Sequence, residues 1–179
     1  RLQARRFMSR TLIAIPARLA ATRLPNKPLA DIHGAPMIVH VWRRAVEAGI
    51  GPVIVAADSE VIAAAIRDAG GQCVLTDPAH PSGSDRIHEA LGKLDPAGRH
   101  DVIINVQGDL PVIDPAIIAA SLVPLAEAAV DIATLGAVIT RPDERTNENV
   151  VKIIGSEITP GHLRALYFTR ATAPWGDGP

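Results

Sequence analysis

The chain of 179 residues balances 18 Lys and Arg against 19 Asp and Glu, a formal net charge of -1 that excludes the broad basic face of a nucleic-acid binder. Hydrophobic residues make up 47% but aromatic ones only 3%, so the expected core is aliphatic, as in buried parallel strands. The one cysteine, Cys73, can form neither an internal disulfide nor a thiolate metal cluster and reads as a small core hydrophobe.

Residues 1–7 carry Arg1, Arg5 and Arg6 and lead to Met8. The apolar stretch that follows, Leu12 to Pro16, is too short for the core of a signal peptide. Met8 is read as the natural start, with residues 1–7 an upstream or added extension and 8–179 a nucleotide-binding α/β domain. No apolar run is long enough to span a bilayer. A cytoplasmic protein without membrane attachment is expected.

Thr11 to Ile15 is a short apolar run closed by Pro16 and predicts a buried strand. Ala17 to Pro28 has two prolines, three cations and no periodicity, which predicts a loop. Met37 to Ala48 places Ile38, Val41, Trp42, Ala45 and Val46 at helical spacing, with Gly49 where a helix would stop. Pro52 to Ala57 predicts a second strand, Ser59 to Ala69 a capped helix ended by Gly70-Gly71, and Gln72 to Leu75 a third strand. Ser82 is placed to cap a helix running to Leu94. Asp101 to Val106 predicts a fourth strand, and Asp114-Pro115 opens another helix. Asp131 to Ile139, Val150 to Ile154 and Leu163 to Phe168 also read as strands. Alternating strands and helices predict an α/β, doubly wound, mostly parallel sheet, with antiparallel strands near the C-terminus.

In such folds ligands bind at the carboxyl ends of the strands. The loops after the first and fourth strands are therefore the candidate site. The first reads Pro16-Ala17-Arg18-Leu19-Ala20-Ala21-Thr22-Arg23-Leu24-Pro25-Asn26-Lys27-Pro28. Arginine forks and a lysine charge suit phosphate oxygens, and small residues let backbone approach a ligand. No Walker pattern is present. Composition alone leaves a solvated loop as an equal reading. After the fourth strand, Gln107-Gly108-Asp109 sets a carboxylate at the sheet edge, where it suits either Mg²⁺ or a turn that bonds its own backbone. Six histidines show no ligand-like pairing; His40 fits a core edge, and His80 precedes the Ser82-Gly83 turn without an assigned role.

Taken together, Ile15-Pro16-Ala17-Arg18, Thr22-Arg23-Leu24-Pro25-Asn26-Lys27-Pro28-Leu29, His80-Pro81-Ser82-Gly83-Ser84-Asp85-Arg86, Asn105-Val106-Gln107-Gly108-Asp109 and Tyr167-Phe168-Thr169-Arg170-Ala171 to Pro174-Trp175 resemble the 3-deoxy-manno-octulosonate cytidylyltransferases. The likeness runs from Met8 to Trp175 and implies a nucleotide-diphospho-sugar transferase-like fold. It implies that Arg18 and Lys27, helped by Arg23, hold the CTP phosphates. It places Ala17, Ser82, Gly83 and Arg86 about the nucleotide, Gln107 and Arg170 at the sugar acid, and Mg²⁺ on Asp109. For Ser82 a helix cap, and for Arg170 a surface position, remain alternative readings.

The implied reaction joins CMP from CTP to the sugar acid and releases pyrophosphate, for lipopolysaccharide precursor synthesis. Two departures stand out. Leu110 occupies the place of a family glutamate, and Ser84-Asp85 replaces the more usual Thr-Glu. Family members also continue beyond the position of Pro179 through a segment that carries dimer contacts, more of the sugar pocket and a second metal aspartate. A homodimer is therefore expected for the full-length form. A cytidylyltransferase for another sugar acid, such as an acylneuraminate, and a nucleotide-binding module without catalysis are the rival readings.

Overall fold

The computed structural model describes residues 10–19 and 25–173. The chain divides into two compact units, residues 1–126 and residues 127–179. In the first, β1 (Thr11–Ala17) is followed by a two-stranded ribbon of β2 (Asp31–Ile32) and β3 (Ala35–Pro36). After the ribbon come α1 (Met37–Glu47), β4 (Val53–Ala57), α2 (Glu60–Asp68), β5 (Gln72–Leu75), α3 (Gly83–Leu94), β6 (Val102–Asn105) and α4 (Pro115–Ala120). Strands β5-β4-β1-β6 lie side by side in that order, and every pairing is parallel. The ribbon is too short to leave a period-two signal, so the sequence did not predict it.

Alternation along the strands divides the core between the two faces. Ile13, Ile15 and Ala17 of β1, with Val55 and Ala57 of β4, join a cluster containing Ile38 and Val41 of α1, Ile62 and Ile66 of α2, and Ile118 of α4. Leu12, Ala14, Ile54 and Ala56 join Ile87 and Ala90 of α3 in a second cluster. Both sheet faces are thus covered by helices, as a doubly wound sheet requires. That arrangement explains why β1 is apolar at nearly every position. Ser59 accepts a hydrogen bond from the Ile62 N–H (3.5 Å) at the start of α2, and His40 Nε2 meets the Ile32 carbonyl (2.8 Å), fastening α1 to the ribbon.

The chain leaves β1 for β4 and β5 on one side, then crosses to β6 on the other. The point where strand order reverses lies between β1 and β6, and a crevice opens outside their carboxyl ends. Pro16, Ala17 and Arg18 arrive there from β1; Gln107, Gly108 and Asp109 arrive from β6.

In the second unit α5 (Pro142–Thr146) precedes β7 (Lys152–Thr159) and β8 (His162–Thr169), which pair antiparallel with two register shifts. These are the strands expected from Val150 and from Leu163. The strand expected over Asp131 to Ile139 does not form. Residues 132–140 have no regular structure, and Ile132 and Val138 are each 87% exposed. β-propensity alone does not make a strand, which needs a neighbour's N–H and C=O groups. Among the described residues β7 and β8 take each other's, and no segment pairs with this one.

Candidate active site

A cavity of about 290 Å³ opens at the reversal point, lined by Pro16, Ala17, Arg18, His80, Pro81, Ser82, Gly83, Arg86 and Gln107. Six of the residues expected at the site from the sequence meet on this one surface: Ala17, Arg18, Ser82, Gly83, Arg86 and Gln107. Pro16, His80 and Pro81 were given no role, although they directly adjoin residues that were.

Ser82 is both a helix cap and a wall of the cavity. Its hydroxyl accepts from the Asp85 N–H (3.2 Å) and donates to the Asp85 carboxylate (2.5 Å). Its single proton is committed, so what α3 offers the cavity is the unpaired N–H groups of its first turn, which suit acceptor oxygens or an anion. Gly83 allows that turn to approach β1, because a Cβ there would lie 3.0 Å from Pro16 Cγ. One turn in, Arg86 is only 2% exposed yet forms no ion pair among the described residues. A buried guanidinium without a carboxylate leaves donors directed to whatever fills the cavity.

Lys27 and Asp109 are brought together although 82 residues separate them: Nζ donates to the carboxylate at 2.8 Å. The loop before Lys27 is fastened at its described ends. The Leu19 N–H donates to both Asp58 carboxylate oxygens (3.2 and 3.1 Å), and the Asn26 N–H donates to the Leu19 carbonyl (3.3 Å). Asn26 takes a left-handed φ of 57°, a conformation asparagine tolerates, and Pro28 is buried. Gln107 donates to Asn105 Oδ1 (3.2 Å) and is exposed. Leu110, beside Asp109, is 41% exposed.

His80 rests against Glu89 of α3 through Nε2. Glu89 also accepts from Lys93 Nζ (2.6 Å) and from the Asp77 N–H (2.8 Å). The hydrogen bond from Lys93, then those from Asp77 and His80, hold its carboxyl down at about 2. Glu89 is therefore an anion throughout the neutral range and keeps His80 at the rim. Burial pushes the Cys73 thiol up to about 11, consistent with a packing role.

Arg23 lies outside the described residues, as do residues 1–7 and Pro174-Trp175. Arg170 belongs to the second unit, directly after β8, where it donates to the Glu148 carbonyl (2.9 Å) and its own carbonyl accepts from the buried Lys152 (3.0 Å).

Among the described residues no three His, Cys, Asp or Glu side chains converge as a metal cluster. The exposed Asp109 carboxylate is a single hard ligand. That fits a small divalent cation which keeps water and takes its other ligands from phosphates, and does not fit a resident, fully caged ion.

This parallel fold, with its cationic loop and helix N-terminus at the point of strand reversal, is that of a nucleotidyltransferase, and residues 12–177 match the family model described as Cytidylyltransferase. The chain is 70% identical over 172 residues to the 3-deoxy-manno-octulosonate cytidylyltransferase of Methylobacterium sp. (strain 4-46), covering 96% of this chain and 70% of that protein. It is 66% identical to the enzyme of the same name from Mesorhizobium japonicum over 94% of this chain. Among solved structures, a CMP:2-keto-3-deoxy-manno-octonic acid synthetase complexed with CTP superposes with a TM-score of 0.80 at 35% identity, over 94% of this chain and 67% of that one. The chain belongs to the 3-deoxy-manno-octulosonate cytidylyltransferase family. It spans about 70% of the length of these curated relatives. No helix among the described residues is long and apolar enough to cross a membrane.

Proposed function

We propose that the protein transfers CMP from CTP to 3-deoxy-manno-octulosonate and releases pyrophosphate. The observation that carries this reading is the cavity at the reversal point, where Arg18, the first turn of α3 and the buried Arg86 all present donors. The sugar's anomeric hydroxyl attacks the α-phosphorus, a new C–O–P linkage forms, the bond to the β-phosphate oxygen breaks, and the hydroxyl proton leaves to solvent. Such chemistry asks the protein chiefly for alignment and charge neutralisation.

Arg18 and Lys27, with Arg23, take the phosphates and the leaving pyrophosphate. Ala17, Ser82, Gly83 and Arg86 receive the cytidine, and Gln107 and Arg170 the sugar acid. Asp109 is the residue to hold Mg²⁺, which when bound supplies charge neutralisation at phosphate oxygens. The Lys27–Asp109 pair does not obstruct this assignment. Its side chains are 38% and 50% exposed, and exposed pairs contribute only about 0–1 kcal/mol, whereas a charge-assisted phosphate contact contributes about 1.5–3 kcal/mol. Lys27 therefore exchanges Asp109 for phosphate when nucleotide enters. Action in the cytoplasm on lipopolysaccharide precursors, by a homodimeric full-length form without nucleic-acid or membrane partners, completes the proposal.

The test follows pyrophosphate release by a form as long as the relatives, given CTP and either 3-deoxy-manno-octulosonate or an acylneuraminate. Release with the first acid alone is expected. Preference for the acylneuraminate would transfer the chain to the rival substrate, and CTP binding without release in either arm would leave a nucleotide-binding module. CTP should also bind more tightly than ATP, and equal affinities would remove the cytidine assignment.

Arg18→Ala and Lys27→Ala are each expected to weaken CTP binding by about 1.5–3 kcal/mol without loss of fold, since Arg18 is exposed and Lys27 is only half-buried. Calorimetric titration reads this directly. Unchanged affinity in both variants would take the loop out of the site.

A further inference from the structure

The buried Arg86 is held by one side chain that stands outside the cavity. Its Nη1 donates to Thr76 Oγ1 at 2.6 Å, and Thr76 Oγ1 lies 3.0 Å from the Ala57 carbonyl. Bonding directions in this chain of three groups are forced. A guanidinium has only donors and a carbonyl only accepts, so the hydroxyl receives from Arg86 and gives its one proton to Ala57. Thr76 is 6% exposed and is fixed twice to Ala57 at the carboxyl end of β4, by this hydroxyl and by its own N–H (2.9 Å). Its branched side chain further restricts rotation. The sheet thus anchors the Nη1 end of the guanidinium through a single oxygen.

Arg86 lines the cavity although it is only 2% exposed. Among the described residues Thr76 is its only side-chain partner, and no fully buried side-chain nitrogen or oxygen lacks one. The remaining guanidinium donors are therefore turned to the cavity. A donor-only group discriminates between pyrimidines. Cytosine offers acceptors at both O2 and N3, whereas uracil offers O2 beside an N3–H donor.

We infer that Thr76 is the positioning residue that fixes Arg86 against the acceptor edge of cytosine and so sets the choice of CTP over UTP. This rests on the cytidine reading above. Thr76 touches no nucleotide and acts only through Arg86.

The experiment compares CTP, UTP and inorganic tripolyphosphate binding to the wild-type protein, Thr76→Val and Thr76→Ser by titration calorimetry. Valine keeps the shape and deletes the oxygen; serine restores it. In Thr76→Val the ratio of CTP to UTP affinity is expected to fall about 3–10-fold. Tripolyphosphate affinity should stay unchanged, and Thr76→Ser should recover most of the ratio. A general packing defect would instead lower all three affinities together, and that outcome overturns the inference, as does an unchanged ratio. Only folded protein binds, so the ratio remains readable in a destabilised variant; should Thr76→Val not fold, Thr76→Ala gives the same reading. A wild-type protein with no preference for CTP over UTP would instead defeat the cytidine reading itself.

Discussion

Gly108→Ala is expected to loosen the sheet and disable the site in one step. A Cβ at Gly108 would lie 2.7 Å from the Pro16 carbonyl oxygen, with Ile38 Cδ1 at 3.4 Å. The near atom is backbone of the central strand, so it cannot rotate aside as a side-chain tip would. Overpacking of this kind costs roughly 1–3 kcal/mol, which lowers the melting temperature by about 2–12 °C for a domain of this size. The carboxyl end of β6 must move off β1, and Gln107 and Asp109 move with it. Nucleotide affinity should therefore fall along with stability. Gly92→Ala supplies the contrast: it lies on α3, a Cβ there meets nothing within 4 Å, and helix propensity favours alanine by about 0.8–1.0 kcal/mol. Thermal unfolding and CTP titration of the two variants check this. Gly108→Ala with wild-type values on both would mean that β1 and β6 do not need their close approach.

The parts of the fold that could be read from sequence are those whose cause is local. Ser59 and Ser82 cap their helices because a hydroxyl reaches the third N–H of the turn wherever it stands at that spacing. The β1, β4 and β5 runs are legible because both sheet faces are covered and each strand needs apolar residues. The segment Asp131 to Ile139 carries similar residues without forming a strand, since pairing depends on a partner distant in sequence and propensity contains no information about one. The same limit applies to the site. Arg18, Lys27 and Asp109 announce themselves by charge near strand ends. That Lys27 bonds Asp109 follows from strand order, with β6 crossing back beside β1. Thr76 carries no charge and reads as an ordinary residue after a strand. Its place beneath Arg86 requires the three-dimensional path of β5 and α3. Gly108 falls between these cases: a glycine before an acidic residue suggests a turn, while the carbonyl it makes room for lies 92 residues earlier in Pro16.

Asp109→Asn is expected to abolish turnover while leaving the fold in place. From the sequence alone, its position in a turn allows a purely local role, with the carboxylate bonded to its own backbone. In the structure its side-chain partner is Lys27 Nζ, and half of the carboxylate side chain is exposed. Asparagine has nearly the same shape, and its amide oxygen can still accept from Lys27. The lost ion pair is an exposed one worth about 0–1 kcal/mol, so thermal stability should change little. The metal role predicts something much larger. A neutral amide is a poor ligand for a small, hard divalent cation, and losing several kcal/mol of charge neutralisation in the transition state slows the reaction on the order of a hundredfold or more. Metal-free CTP binding should hold or tighten, because a negative charge near the phosphates has been removed and Lys27 is freer to reach them. These effects move in opposite directions, which a general folding defect cannot mimic. The measurement is pyrophosphate release across a magnesium titration, made on a form as long as the relatives, together with CTP titration in chelator. A variant with wild-type rate and an unshifted magnesium response would leave Asp109 as the anion that holds Lys27 before nucleotide enters, with no part in metal binding.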